Sequence, residues 1–346
     1  MTVKLMAGID LHSNNLFCGI VDLEGKRVFE KKLPCDVDSV VRALKPFKKR
    51  LEKIAVESTY NWYWLVDGLQ DHGYPVVLAN PAAMQQYDGL KHADDKSDAF
   101  FLAEMLRLNI LPTGHICDRE IRPVRDLLRR RMGLVHQRTS LILSLKSLHT
   151  RMTGRDLSTG RIKALEASEA ETLFEHPADQ LITRLDVQLV EQLSRSIAKI
   201  EAAILAVVKF LPNYQVLQTM PGVGRILGLT ITLETVDPRR FASPGDYASY
   251  CRGVDSRRMS NGKKKGENNG KCGNKYLAWA FVEAAQFARR HDESCRKFHD
   301  RKTAQVNGIV GTKALACKLA KAAWHMMSQN TPSDSGRIFP GIKSQI

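Results

Sequence analysis

The run Leu5-Met6-Ala7-Gly8-Ile9 is apolar at every position and ends on an acid, Asp10, and Ile54-Ala55-Val56 repeats the arrangement by ending on Glu57. Short unbroken apolar runs of this kind read as buried strands, which puts both carboxylates at the carboxyl ends of strands in one sheet, the edge where α/β sheets keep their chemistry. A third segment, Asp95-Lys96-Ser97-Asp98-Ala99-Phe100-Phe101-Leu102-Ala103-Glu104, reads as a helix. Residues three apart on a helix share a face, so one element delivers two further acids.

Taken singly, an acid after a strand is often only the cap of a turn. Jointly, the four have a physical consequence: carboxylates converging on one pocket cannot all stay ionised unless a cation neutralises them. Hard oxygen donors favour Mg2+, with Mn2+ as the alternative. Two such ions about 3.5–4 Å apart polarise a phosphodiester and stabilise both the attacking and the leaving oxygens. The set Asp10, Glu57, Asp95 and Asp98 therefore reads as the metal-binding core of an enzyme acting on nucleic acid.

Charge points to the same partner. The 346 residues carry 52 Lys and Arg against 37 Asp and Glu, a formal net charge of +15. A length of this order predicts two or three domains. The excess is local: residues 116–165 hold 12 basic against 4 acidic side chains, and residues 251–275 hold 8 against 2. The seven cysteines show no C-x-x-C pair, so neither a disulfide framework nor a zinc ribbon is expected. No secretory leader or membrane span is evident, and the expectation is a cytoplasmic protein.

Along the first 115 residues, Leu5–Asp10, Leu16–Val21 and Arg27–Lys32 read as a three-strand meander, followed by a helix over Asp38–Leu51, a strand over Ile54–Glu57, a helix over Asn61–Gly73 and a strand over Pro75–Leu78. This order resembles the α/β ribonuclease H-like fold. Residues 116–212 read as a basic helical arm of two long helices, Ile121–Met152 and Leu181–Phe210, in a coiled-coil or antiparallel hairpin. Arg129, Arg130 and Arg131 lie in the first of these helices as candidates for phosphate contact. The second has an apolar spacing suited to self-association.

Residues 213–346 read as a mainly α-helical domain. Its Met220-Pro221-Gly222-Val223-Gly224 resembles a helix-hairpin-helix turn, in which the backbone at Gly222 and Gly224 would hold a DNA phosphate. The stretch Arg257-Arg258-Met259-Ser260-Asn261-Gly262-Lys263-Lys264-Lys265-Gly266 has almost no apolar content and predicts a flexible basic loop. It would bring Ser260 close to a phosphodiester. Arg257, Arg258, Lys263, Lys264 and Lys265 are its candidate nucleic-acid contacts.

Three other function classes compete. Gly8-Ile9-Asp10 before a meander also opens actin-like sugar kinases, but the further glycine-rich phosphate loops of that class are missing. A non-enzymatic DNA- or RNA-binding protein would leave the acids unexplained. A RuvC-like structure-specific nuclease or a site-specific DNA invertase remains the alternative.

Together, Gly8-Ile9-Asp10, Val56-Glu57-Ser58-Thr59, Asp95-x-x-Asp98-Ala99, Met220-Pro221-Gly222-Val223-Gly224 and the run from Ser260-Asn261-Gly262-Lys263 to Gly273-Asn274-Lys275-Tyr276-Leu277 resemble the DEDD transposases of the IS110 family, in particular its IS1111 group. The resemblance covers nearly the whole chain. It implies a RuvC-like N-terminal domain whose tetrad is Asp10, Glu57, Asp95 and Asp98, with Asp94 a competitor for the third place. It also implies a C-terminal transposase domain with Ser260 as nucleophile and Ser256 as the fallback. Further implications are a serine–DNA covalent intermediate, double-stranded donor and target DNA, a structured noncoding guide RNA of the bridge type, and a homo-dimer or tetramer. Because Ser260 lies far from the acids in sequence, domain packing or a second subunit must bring them together.

Overall fold

A computed structural model describes residues 4–84, 94–170, 172–254, 257–267 and 272–341, with the backbone alone described at 257–260, 264, 266 and 267. The chain divides into two compact units. One comprises residues 1–117 with 257–272, and the other residues 118–256 with 273–346. The chain passes from one unit to the other after Cys117, after Ser256 and after Cys272.

The first unit is built on a six-stranded sheet of β1 (Leu5–Leu11), β2 (Asn15–Asp22), β3 (Arg27–Pro34), β4 (Leu51–Glu57), β5 (Val76–Ala79) and the two-residue β6 (Thr113–Gly114), in the order β3-β2-β1-β4-β5-β6. The expected meander is present: β1 and β2 pair antiparallel, as do β2 and β3, and β1–β4 and β4–β5 are parallel. Helices α1 (Val37–Leu44) and α2 (Tyr63–Asp71) are shorter than the patterns suggested. Pro46 turns the end of the first into a 3-10 turn over Lys45–Phe47, and the strand then begins at Leu51.

Every residue of β1 is buried, and alternation along it separates two cores. Leu5, Ala7, Ile9 and Leu11 join Leu44, Leu65 and Leu69 on the α1 and α2 side, while Met6 joins Phe100, Leu102, Ala103 and Leu106 of α3 (Asp95–Arg107). Gly8 and Asp10 share the Met6 face by the same period. A Cβ on Gly8 would overlap the Ala99 carbonyl and the Ala103 amide, so this glycine lets α3 lie directly on the strand.

In the second unit the expected arm is a pair of long helices, α4 (Ile121–Thr153) and α5 (Pro177–Val208). Arg131 meets Glu201 and Arg138 meets Ser194, an antiparallel register. Thr183, Val187, Val190, Ile197, Ile204 and Val208 are the buried seam of α5, with Ser194 and Glu201 filling the two remaining places of an alternating 4-3 spacing. At the base, Leu128, Ile204 and Val208 pack with Leu229 and Leu233 of α6 (Arg225–Thr235). The remaining core is formed chiefly by α6, α7 (Lys275–His291) and α8 (Gly308–Gln329).

The basic segment departs from expectation: Arg257–Ser260 and Lys263–Glu267 form an antiparallel β-hairpin, β7 and β8. Asn261 and Gly262 both have positive φ, 49° and 71°, the two-residue turn whose twist suits hairpin strands. Asn-Gly tolerates that backbone, and this local preference prevails over a composition that predicts no packed structure. Among the described residues, no helix is long and apolar enough to cross a membrane. All seven cysteines are free thiols, and burial pushes the Cys18 thiol up to about 12.

Gly8→Ala should destabilise the protein by about 1–3 kcal/mol, the range for overpacking a filled core. Urea denaturation checks this: an unchanged midpoint would mean that α3 does not rest on β1 at this position.

Candidate metal and nucleic-acid sites

Asp10 is the penultimate residue of β1 and is 2% exposed. Parallel pairing sets Ile9 beside Val56, which brings Glu57 at the end of β4 alongside Asp10. Because α3 lies on β1 through Gly8, Ala99 and Ala103, its first turn, with Asp95 and Asp98, reaches the same strand end. Burial pushes the Asp10 carboxyl above the ordinary carboxylate range, against a hydrogen-bonding contact with Glu57 and the attraction of His12, and with help from the like charges of Asp98 and Asp95. One buried carboxyl thus senses the other three acids expected from sequence.

Asp94, the competitor for the third position, caps α3 by accepting the Ser97 amide at 2.6 Å. Asp95 and Asp98 stand in the first turn that this cap opens. The donor set around Asp10 is oxygen-rich, anionic and partly withdrawn from water, a chemistry that fits a hard divalent cation.

His12 belongs to this cluster as well. Its Nε2 lies 2.9 Å from Asp10 Oδ2 and 3.2 Å from Asp95 Oδ1. Asp10, His12 and Asp95 can all offer atoms to one ion. Sequence reasoning passed over it, although its place two residues after the first acid was an available signal. The two loops at this edge are tied together, with Asn61 Nδ2 donating to the His12 carbonyl at 2.9 Å and Tyr60 Oη to Ser13 Oγ at 3.3 Å.

The arginines of the arm have different surroundings from those expected. Arg129 makes a two-pronged ion pair with Glu234, 2.7 and 2.8 Å, and its guanidinium stacks on Tyr276. Arg131 pairs with Glu201, which also holds Arg225 at 3.0 Å. Both are therefore engaged within the helical unit, while Arg130 is exposed.

Gly222 has φ +78°, and a Cβ there would overlap the Ala284 carbonyl and crowd the Ala288 amide of α7. Packing accounts for this glycine. Gly224 is exposed, has open space around it and stands as N-cap of α6. In the basic hairpin, Ser260 pairs across the turn with Lys263, and Met259 with Lys264. Lys265 is the extra residue of a bulge, and the Lys263 and Lys265 side chains are exposed. Side chains of Arg257, Arg258, Ser260 and Lys264, and the whole of Ser256, lie outside the described residues.

Residues 7–152 match the DEDD transposase family of the IS110 type, and residues 214–300 match the family described as Transposase IS116/IS110/IS902. Curated relatives agree. A protein of Pseudomonas aeruginosa named "Probable family 20 transposase" is 24% identical over 292 residues, covering 80% of this chain and 84% of its own length. The "Transposase for insertion sequence element IS1111A" of Coxiella burnetii is 25% identical over 343 residues, covering 94% of this chain and 90% of its own length. The "Insertion element IS116 uncharacterized 44.8 kDa protein" of Streptomyces clavuligerus is 22% identical over 382 residues, covering 94% of each chain.

Three outcomes are expected from these surroundings. Metal-free Asp10→Asn should melt a few degrees above the metal-free native protein at pH 7, because a neutral isostere removes a desolvated charge from a crowd of like charges; calorimetry with and without chelator reads this, and a lower melting point would count against the crowding. Arg130→Gln should flatten the logarithmic salt dependence of nucleic-acid binding by about 0.7–0.9. Arg129→Ala should instead cost stability, about 3–5 kcal/mol, by stranding the Glu234 charge. Salt-titrated binding and urea melts separate the two arginines, and equal behaviour would refute the distinction.

Proposed function

Because the chain belongs to the IS110 family and is a DNA transposase, we propose that it cuts and rejoins DNA by a divalent-metal-dependent transesterification in which Ser260 becomes transiently esterified to DNA. The observation that carries the metal-dependent part is the placement of buried Asp10 at the end of β1, beside Glu57 at the end of the parallel β4 and against α3, whose first turn holds Asp95 and Asp98. An ion held by Asp10, Glu57, Asp95 and Asp98, Mg2+ or Mn2+, would supply Lewis-acid polarisation of the scissile phosphodiester.

The protein's own contribution is the nucleophile and its surroundings. Ser260 Oγ forms a bond to phosphorus as the bond to the leaving strand's oxygen breaks. The serine hydroxyl gives up its proton and the departing oxygen takes one up. One ester replaces another, so no ATP is needed, and attack by the hydroxyl of a partner strand on the phosphoserine ester completes exchange. Lys263, Lys264 and Lys265 flank Ser260 in sequence and offer positive charge for its alkoxide. The placement of residues 257–272 in the acid-bearing unit supports a meeting of serine and acids through packing within one chain.

Exchange requires two duplexes held together, which favours a homo-dimer or tetramer. The 4-3 spacing of α5 supports a coiled-coil arm, and the exposed Gly224 at the start of α6 suits a helix-hairpin-helix contact to a DNA phosphate. A bridge-type noncoding RNA specifying donor and target is the reading that the family resemblance favours, with the basic arm and hairpin as its contacts.

The test is to trap protein–DNA adducts under denaturing conditions. Native protein with Mg2+ or Mn2+ should give an adduct, and chelation, Asp10→Asn, Glu57→Gln and Ser260→Ala should each remove it while DNA and RNA binding persists. Strand cleavage by the native protein without any adduct would instead identify a hydrolytic RuvC-like nuclease. An adduct surviving in Ser260→Ala would transfer the role to Ser256.

A further inference from the structure

His12 stands immediately beyond β1, and its backbone is fixed from both sides: its amide donates to the Asn15 carbonyl at 3.0 Å and its carbonyl accepts from Asn61 Nδ2 at 2.9 Å. The root of the ring is therefore anchored to the sheet edge and to the loop that follows Glu57. Its Nε2 approaches two acids from separate elements, Asp10 Oδ2 at 2.9 Å and Asp95 Oδ1 at 3.2 Å. The Asp10 oxygen is buried yet accepts no well-directed hydrogen bond, so the short approach of the ring leaves its demand for a cation unmet.

Those separations carry chemical meaning. Two ligands at right angles on one ion, with bonds of about 2.0–2.2 Å, lie about 3 Å apart. Nε2 stands at that spacing from both carboxylate oxygens. The ring is about half exposed, 48%, so an ion arriving from solvent meets it at the mouth of the cluster while Asp10 forms the floor. Magnesium prefers carboxylate and water, whereas an imidazole raises affinity for first-row transition ions.

We propose that His12 is a nitrogen ligand of the divalent ion and shifts the preference of this site toward Mn2+ over Mg2+, a proposal that rests on the four-acid metal site described under Proposed function. A histidine that merely neutralised the acids would be displaced by the ion. A ligand would stay and bond to it.

The two cases differ in a signature that does not depend on catalysis. The full-length protein is stripped of metal and loaded with substoichiometric Mn2+, and electron spin echo envelope modulation is recorded beside Mn2+ and Mg2+ titrations. The native protein should show nitrogen modulation from a directly bonded imidazole, and His12→Ala and His12→Gln should lose it. Since loss of even an outer-shell partner costs a site about 10–100-fold in affinity, loss of a direct ligand should weaken Mn2+ by about tenfold or more. Mg2+ should weaken by a smaller factor. Bound Mn2+ without nitrogen modulation in the native protein, or equal losses for both ions in the variants, would overturn the role of His12 and leave the acid site standing. Failure of the native protein to bind Mn2+, or undiminished binding by Asp10→Asn, would overturn the four-acid site itself.

Discussion

The contact on which the acid-bearing unit depends is between a strand and a helix with no side chain between them. At Gly8 the backbone of β1 meets Ala99 and Ala103 of α3, and nothing larger than hydrogen fits. That closeness converts a sequence separation of about ninety residues into a shared site. Asp10 follows Gly8 on the same face of the strand, and Asp95 and Asp98 precede Ala99 in the helix, so strand and helix bring their acids to one edge. A thicker interface would move the helix acids away from the strand acids. The cost of the arrangement is visible in Asp10, where desolvation dominates and keeps the carboxyl hungry for a proton or a cation.

A second buried acid organises the helical unit in the opposite manner, because its charge is fully answered. Glu234, at the end of α6, receives the fork of Arg129 from the arm and the amide of Asn274 at 2.7 Å. The same Asn274 caps α7 through the Tyr276 and Leu277 amides. Its own backbone amide donates to the Tyr250 carbonyl at 2.6 Å, and Arg252 donates to the Gly273 carbonyl at 3.2 Å. Tyr250 and Arg252 are thereby held to Asn274 and Gly273. The arm, the central helix and both ends of the serine-bearing segment thus share one polar network.

What was legible in the sequence follows from how local each signal is. The strands with Asp10 and Glu57 could be read because burial and alternation act over five to seven residues, and the helix acids because a spacing of three fixes a face. The capping role of Asp94 became visible only in the geometry of one amide. The ion pairs of Arg129 and Arg131 could not be read, since their partners Glu234 and Glu201 lie 105 and 70 residues away. Gly222 offered two physical reasons for a glycine, and only packing against α7 distinguishes them. The hairpin was legible in principle: Asn261-Gly262 is a strong turn signal, outweighed in reading by the lysines around it. His12 carried no periodicity, and only the convergence of two elements gives it a role.

The charge distribution gains a different sense from these pairings. A basic protein does not offer all its cations to a polyanion, and on the arm the arginines nearest the helical core serve internal acids. Arg130 and the hairpin's Lys263 and Lys265 are instead turned toward solvent. The acid cluster has the inverse problem, an excess of negative charge at a strand edge that phosphate would also avoid. A phosphodiester approaching such an edge gains only if a cation intervenes and if basic groups hold its flanks. The hairpin with its exposed Lys263 and Lys265 belongs to the same compact unit as the acids, and the donor set around Asp10 fits a cation. Acid and base are therefore complementary parts of one demand, since neither alone could bring a polyanion to a carboxylate cluster.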